Sequence, residues 1–451
     1  MTMPDGAASL VTATPRAAAT PSRVAAAEIF TDLRGGELLD WSFERRTAAL
    51  DDRDRRWTQE LVFGVLRRRS WLDMLLADRV RGGLVRLDPD LTDLLRAGAY
   101  QFLYMRSVPS YAAIAQTVEL AKIRHGLGAS KLVNAVLRRL DRERQDMVRA
   151  LPPDPVEALV LQHSHPRWIV QRWVARFGRD GTAALLAANN EEASTFARPF
   201  NVVREQLEAA LEADGVQVSE SPLVRDSVRL SGGASIRELG AFRQGQFFVQ
   251  DPAATLVTKY AAFAPGSLVA DLCAAPGGKT LEISKSASGV VASDRSAARL
   301  SRLAENVKRL DATGIELVVM DARVPAIRHV DAVLLDAPCT GTGTFRRHPE
   351  ARWRLKGGDV ARMASAQRSL LDSAANLVKP GGLLVYSTCS LEPEENDQPV
   401  DLFLSTHPQF VLEPPPANTV PASVLDEGRL RVLPHLHGTD GAFAVRLRRT
   451  Q

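Results

Sequence analysis

The stretch Asp271-Leu272-Cys273-Ala274-Ala275-Pro276-Gly277-Gly278-Lys279-Thr280 decides the reading of the fold. It follows a short apolar run, residues 267–270, and opens a helical pattern. Small residues let a backbone approach a ligand closely, and a helix start offers free N–H donors. Gly-Lys-Thr is present, but a phosphate-binding P-loop requires glycine five positions before the second glycine, and that position is Cys273. The G-x-G-x-x-G pattern is also missing. A nucleotide-like or S-adenosylmethionine pocket remains, beside the plainer alternative of a tight strand–helix turn.

Outward from this loop the text alternates. Apolar runs at 267–270, 290–293, 316–320, 332–335 and 383–387 read as strands, with helical segments between them. This rhythm predicts a mostly parallel α/β sheet with right-handed crossovers, which binds ligands at the carboxyl ends of its strands. Asp294 ends the second run and is placed to accept both hydroxyls of a ribose. Asp321 ends the third and is placed to meet an adenine edge, although a lone strand-end aspartate also serves as a cap. Asp336-Ala337-Pro338-Cys339 ends the fourth run and Thr388-Cys389 the fifth.

All three cysteines of the 451 residues therefore fall at strand ends of one sheet. Three cannot build a disulfide framework in a chain of this length, and no C-x-x-C or Cys/His ligand spacing exists, so neither disulfides nor a metal are expected. The H-x-H pairs His163/His165 and His435/His437 read as ordinary residues. Two strand-end thiols beside a carboxyl have a specific use. The C5 carbon of cytosine is a poor nucleophile, and addition of a thiolate to C6 makes the ring an enamine-like species able to attack a methyl group. A carboxyl at N3 and the exocyclic amine stabilises the adduct, and a second group must then help remove the C5 proton.

The rest of the chain is organised differently. Residues 1–21 have no useful periodicity and are expected to form a disordered tail. From Ser22, a candidate N-cap, apolar residues follow at helical spacing, and no convincing strand occurs before about residue 195. Residues 22–150 read as an all-α domain. Leu151-Pro152-Pro153-Asp154-Pro155 reads as a linker. Residues 156–250 read as a helical linker and a small α+β unit, with β-like pieces at 201–203, 217–218, 228–230 and 246–249 around a helical 205–213. Residues 251–451 form the expected catalytic domain. Lys+Arg minus Asp+Glu is 57 − 53 = +4, and residues 1–150 alone carry 24 − 19 = +5. A polyanion such as nucleic acid is a natural partner for that third. No apolar run is long enough for a transmembrane helix, and a cytoplasmic location is expected.

The motifs DLCAAPGGKT (271–280), LLDAPCTGTGTFRRHPE (334–350) and YSTCSLEPEEN (386–396) closely resemble the signatures of the RNA 5-methylcytosine methyltransferases of the Sun/NOL type, over about residues 195–450. The resemblance implies a Rossmann-like, S-adenosylmethionine-dependent methyltransferase domain. It implies that Cys389 is the nucleophile, that Cys339 assists proton removal and product release, and that Asp336 holds the N3/amine edge. It implies a cofactor site through Cys273, Ala274, Ala275, Pro276, Gly277, Gly278, Lys279, Asp294, Asp321 and Asp336. Arg346 and Arg347 resemble part of its substrate-side loop. Arg198-Pro199-Phe200-Asn201 carries one residue more than the family's Arg-x-Asn element.

Residues 22–140, notably YAAIAQTVELA (111–121) and KLVNAVLRRL (131–140), resemble the NusB-type RNA-binding fold. A NusB-like domain fused to such a methyltransferase is the arrangement of the bacterial RsmB/Sun type. That resemblance implies one cytosine of small-subunit (16S) ribosomal RNA, free or in an assembly intermediate, as the target, with Asn134, Arg138 and Arg139 as RNA contacts. A tRNA cytosine methyltransferase and a non-catalytic RNA-binding or antitermination factor are the alternatives.

Overall fold

The computed structural model describes residues 19–144, 151–232 and 235–450. Most of the expected tail (1–18) and the end of the expected helical domain (145–150) lie outside the described residues. The chain divides into two compact units, Met1–Leu151 and Pro152–Gln451.

The first unit is helical: α1 Pro21–Arg34, α2 Leu39–Thr47, α3 Asp52–Arg67, α4 Arg69–Ala77, α5 Pro89–Tyr104 and α6 Ser110–Glu143. The first helix begins two residues earlier than an N-cap at Ser22 implied, and Ser22 lies buried within its first turn. Thr20 is its N-cap and Pro21 occupies the first turn, where a missing N–H costs nothing. Asp51 and Asp88 cap α3 and α5 by accepting from Asp54 N and Asp90 N. Leu61, Leu72, Leu95 and Leu137 lie in the core. Gly98 lets α5 and α6 meet closely, since a Cβ there would fall 2.6 Å from Leu137 Cδ1.

The second unit opens with α7 Pro155–His163 and α8 Arg167–Ala188. Next come β1 Thr195–Pro199, α9 Arg204–Ala213, β2 Gln217–Glu220, β3 Val228–Ser231, α10 Gly240–Arg243 and β4 Phe247–Val249. These strands form an antiparallel sheet in the order β2-β3-β1-β4. Its first strand is 195–199, not the expected 201–203: Asn201 has φ +57, which turns the chain out of the sheet.

The larger sheet is built from α11 Pro252–Ala261, β5 Leu268–Leu272, α12 Gly278–Ile283, β6 Gly289–Asp294, α13 Ala297–Arg309, β7 Ile315–Val319, β8 Val330–Asp336, α14 Ala351–Arg354, α15 Gly357–Ala375, β9 Val378–Thr388, α16 Asp397–Thr406, β10 Phe410–Leu412, β11 Leu425–Asp426, β12 Arg429–Val432, α17 Pro434–His437 and β13 Ala442–Arg449. The strand order is β11-β12-β13-β9-β8-β5-β6-β7, with β10 on β13. The five strands expected from the sequence pair in parallel. The four C-terminal strands, which were not expected, add an antiparallel flank, so the sheet is mixed. Apolar layers cover both faces, one around Leu371, Val400 and Phe443, the other around Leu256, Tyr260 and Val424. Among the described residues, no helix is long and apolar enough to cross a membrane, and no group of three or more His, Cys, Asp or Glu side chains is placed to hold a metal ion.

Candidate active site

The strand order reverses at β5, and the loop after β5 sits at that switch point. Cys273 leaves the strand with φ +64, and Ala274 N donates to Ser293 O at 2.8 Å, tying the loop to β6. Gly277 has φ +107, and a Cβ there would lie 2.1 Å from Leu303 Cδ1 on α13. A Cβ at Gly278 would meet Gln250 Nε2 at 2.5 Å. Gly277 is thus required by packing and by the turn, whereas Gly278 is constrained by packing alone. Burial pushes the Cys273 thiol up to about 12, so it is inert at neutral pH.

Asp271 lies beneath this loop, fully buried, and accepts from Thr280 Oγ1 at 2.5 Å. Burial raises its carboxyl to about 7. The unfolded chain ionises this group near pH 4 and the folded chain only near 7, so the native state binds the extra proton. Its contribution to stability therefore falls as pH rises from about 4 to 7 and is level above. Asp271→Asn should remove that slope. In thermal melts across the window, the variant should gain on the parent as pH rises, and parallel curves would contradict the assignment.

Asp294 and Asp321 follow at the next two strand ends. Asp294 is buried and accepts from Ser296 N at 2.9 Å, with Arg299 Nη1 at 3.2 Å from its other oxygen. Arg299 also donates to Ala275 O at 2.6 Å, which links the carboxylate to the glycine loop. Asp321 is partly exposed, and Arg323 bonds hold its carboxyl down at about 2.

The β8–β9 ladder pairs Asp336 with Ser387. Asp336 accepts from Ser387 Oγ and Lys279 Nζ, both at 2.7 Å. Burial opposes the Lys279 charge, but Asp336 outweighs it and raises the ammonium pKa. Beyond the strand ends, Cys339 Sγ and Cys389 Sγ lie 3.3 Å apart. The hydrogen bond to Cys389, then burial, push the Cys339 thiol well above its ordinary range. All three cysteines are free thiols. Lys279, Asp336 with Cys339, and Cys389 thus converge from three separate places in the sequence.

Several residues quoted in the motifs received no role from the sequence. Gly343 N donates to Cys389 O at 3.0 Å, and a Cβ on Gly343 would lie 2.6 Å from that oxygen. Glu395 and Asn396 brace the loop from below: Asn396 accepts from Thr388 Oγ1 at 2.6 Å and donates to Ser390 O at 2.9 Å. Glu392 accepts from Arg172 Nε at 2.9 Å and from Trp173 Nε1 at 3.0 Å, and Arg172 also pairs with Glu394. The segment read as a helical linker therefore supplies a wall of the catalytic loop. The signal was Arg-Trp on one helix and an acidic trio in another motif, 220 residues apart. Periodicity alone does not connect them.

Arg346 and Arg347 are both engaged within the fold. Arg346 is 4% exposed and donates to Gly438 O at 3.0 Å. Arg347 spans Asp440 at 2.7 Å and Asp251 at 2.6 Å. Both guanidiniums hold the loop to the fold, because buried charge is tolerated only with partners. In the helical unit, Arg138 and Arg139 are exposed. Arg138 Nε donates to Asn134 Oδ1 at 2.9 Å, and Arg139 pairs with Glu143 at 2.8 Å.

Residues 261–448 match the family profile described as 16S rRNA methyltransferase RsmB/F. Residues 20–142 match the NusB family, and 165–237 match the ferredoxin-like domain of RsmF/B-like methyltransferases. The chain is 36% identical over 397 residues to the ribosomal RNA small subunit methyltransferase B of Pseudomonas putida, covering 86% of this chain and 89% of that protein. It is 34% identical over 406 residues to the protein of the same description from Cronobacter sakazakii, covering 88% and 91%. The crystal structure of PH0851 superposes with a TM-score of 0.81 at 28% identity, over 96% of this chain and 99% of that one.

Proposed function

The chain belongs to the RsmB/F family of rRNA methyltransferases, and from that premise we propose that it methylates C5 of one cytosine in 16S rRNA through a covalent adduct on Cys389. The observation that carries the reading is the convergence of two thiols and a carboxylate at adjacent strand ends with a partly buried lysine from the first turn of α12.

The donor set fits S-adenosylmethionine. A buried carboxylate at Asp294 suits ribose hydroxyls, and Asp321 suits an adenine edge. The loop Cys273–Lys279 offers small residues and backbone N–H groups, and Asp336 closes its far side. The cofactor supplies an electrophilic methyl group. Cys389, as thiolate, adds to C6 of the cytosine, and the ring's electrons shift to C5. Asp336 meets the N3/amine edge of the base. After methyl transfer the C5 proton leaves with the help of Cys339, the C6–S bond breaks, and Cys389 departs as thiolate.

The target base must be unpaired or flipped to reach thiols at this depth. We assign RNA binding to residues 22–150, with Asn134, Arg138 and Arg139 among the contacts, RNA recognition to 156–250, and the chemistry to 251–451. Free catalytic thiols suit a reducing cytoplasm.

The test is bisulfite mapping of RNA from a strain lacking the gene, and of unmodified 16S rRNA after incubation with the protein and S-adenosylmethionine. One 16S cytosine mark should vanish in the first and return in the second. A lost tRNA mark with rRNA unchanged would overturn the substrate.

A further inference from the structure

Glu395 is fully buried, has no part in the chemical steps given above, and takes four hydrogen bonds on one carboxylate. Oε1 accepts from Thr340 N at 2.8 Å and Gln367 Nε2 at 3.1 Å. Oε2 accepts from Ser390 Oγ at 2.5 Å and from Thr340 Oγ1. Thr340 directly follows Cys339, and Ser390 directly follows Cys389. The two sulfur-bearing turns are 50 residues apart in the chain and share this one buried acceptor. Gln367 extends the tie, because its Nε2 also donates to Pro338 O at 2.9 Å. Tyr386 OH in turn donates to the Glu395 carbonyl at 2.5 Å, anchoring the acid to β9.

We propose that Glu395 is the positioning residue for both thiols: by holding the residue after each cysteine, it sets the 3.3 Å gap between Cys339 and Cys389 and so the release of the covalent intermediate. The inference rests on the covalent reading above. Two further facts agree with it. Burial raises the Glu395 carboxyl, against the pull of Ser390 and Thr340. Its charge is one of the causes that keep Cys339 a thiol, after the bond to Cys389 and burial. The same carboxylate therefore holds the turn that carries Cys339 and adds to the field around its sulfur. A displaced Cys339 leaves the first half of the reaction open and stalls the second.

The experiment compares Glu395→Gln with the parent full chain on unmodified 16S rRNA and S-adenosylmethionine. A misplacement of about 1 Å costs on the order of a hundredfold in rate, so kcat should fall by about that factor while KM for RNA stays within about twofold. Denaturing gels should show an RNA–protein adduct above the parent's level, approaching that of Cys339→Ala, in which the adduct is expected to accumulate. A merely structural acid would lower yield and melting temperature without shifting the ratio of adduct to product. If Glu395→Gln fails to fold, Ser390→Ala and Thr340→Val each cut one tie while leaving the charge, and should show the same accumulation. Parent-level adduct in every folded variant overturns the inference. The Cys339→Ala control separates the failures: adduct there and none in the Glu395 series removes this inference alone, and no adduct there with turnover unimpaired removes Cys339 from the mechanism and this inference with it.

Discussion

Cys389→Ala should lose more than about a thousandfold in methylation rate, since removing the nucleophile of a covalent mechanism forfeits the whole unit of groups built around it. The fold should survive. Cys389 is half-buried, its Sγ has a single sulfur partner, and the loop is held by its backbone oxygen on Gly343 N and by Asn396. Affinity for S-adenosylmethionine should also survive, because the proposed cofactor residues lie on the β5, β6 and β7 ends and on Asp336. Single-turnover methylation of unmodified rRNA, with equilibrium dialysis of the cofactor, checks both halves. A variant that methylates at the parent rate would remove Cys389 from the mechanism.

Gly277→Val should have the largest effect on stability. The residue sits at φ +107, where a side chain costs about 1–2 kcal/mol, more for a β-branched one. Its Cβ would enter the space of Leu303 Cδ1 at 2.1 Å, and overpacking adds about 1–3 kcal/mol. Leu303 packs with Ala274, Ala292 and Leu300, so α13 must move, and with it Arg299, which joins Asp294 to the glycine loop. At about 2–4 °C per kcal/mol for a unit of this size, the melting temperature should drop by roughly 5–15 °C. S-adenosylmethionine binding should weaken at least about tenfold, which is 1.4 kcal/mol. An unchanged melting temperature and affinity would show that the loop has slack that the packing does not indicate.

The parallel half of the sheet was legible because each strand is a short apolar run closed by a polar residue. Leu268–Ala270, closed by Asp271, and Ala332–Leu335, closed by Asp336, both carry that signature. The antiparallel flank was not legible. β13 reads Ala442-Phe443-Ala444-Val445-Arg446-Leu447-Arg448-Arg449, and its charges hide a buried strand. Arg446 lies inside because Glu413 and Ala261 O satisfy it, partners that no local pattern reveals. The thiols, the glycine loop and the strand-end acids were read from motif order, and their convergence is a property of the register. The intramolecular partners of Arg346 and Arg347 were hidden for the complementary reason. Charge in a loop suggests a surface, but Gly438, Asp440 and Asp251 claim these side chains from within. Arg172 and Trp173 on α8 were invisible as site residues, since a helix face announces neither a distant acid nor a partner loop.

The pairing of Asp336 with Ser387 has an evolutionary consequence. Neighbouring strands sit about 4.8 Å apart whatever the chain does between them. The reach from one sulfur to the other is therefore measured across the ladder, and the 50 residues separating them along the backbone do not enter it. Most of that stretch must still return Thr340 and Gln367 to Glu395, but Lys356, the N-cap of α15, and Gly357 and Gly358 in its exposed first turn make no bond to Glu395, and a Cβ on either glycine would meet open space. Insertions and deletions can accumulate at that turn over generations without selection on the chemistry. The same turn is where an engineer could splice in a tag or a targeting module.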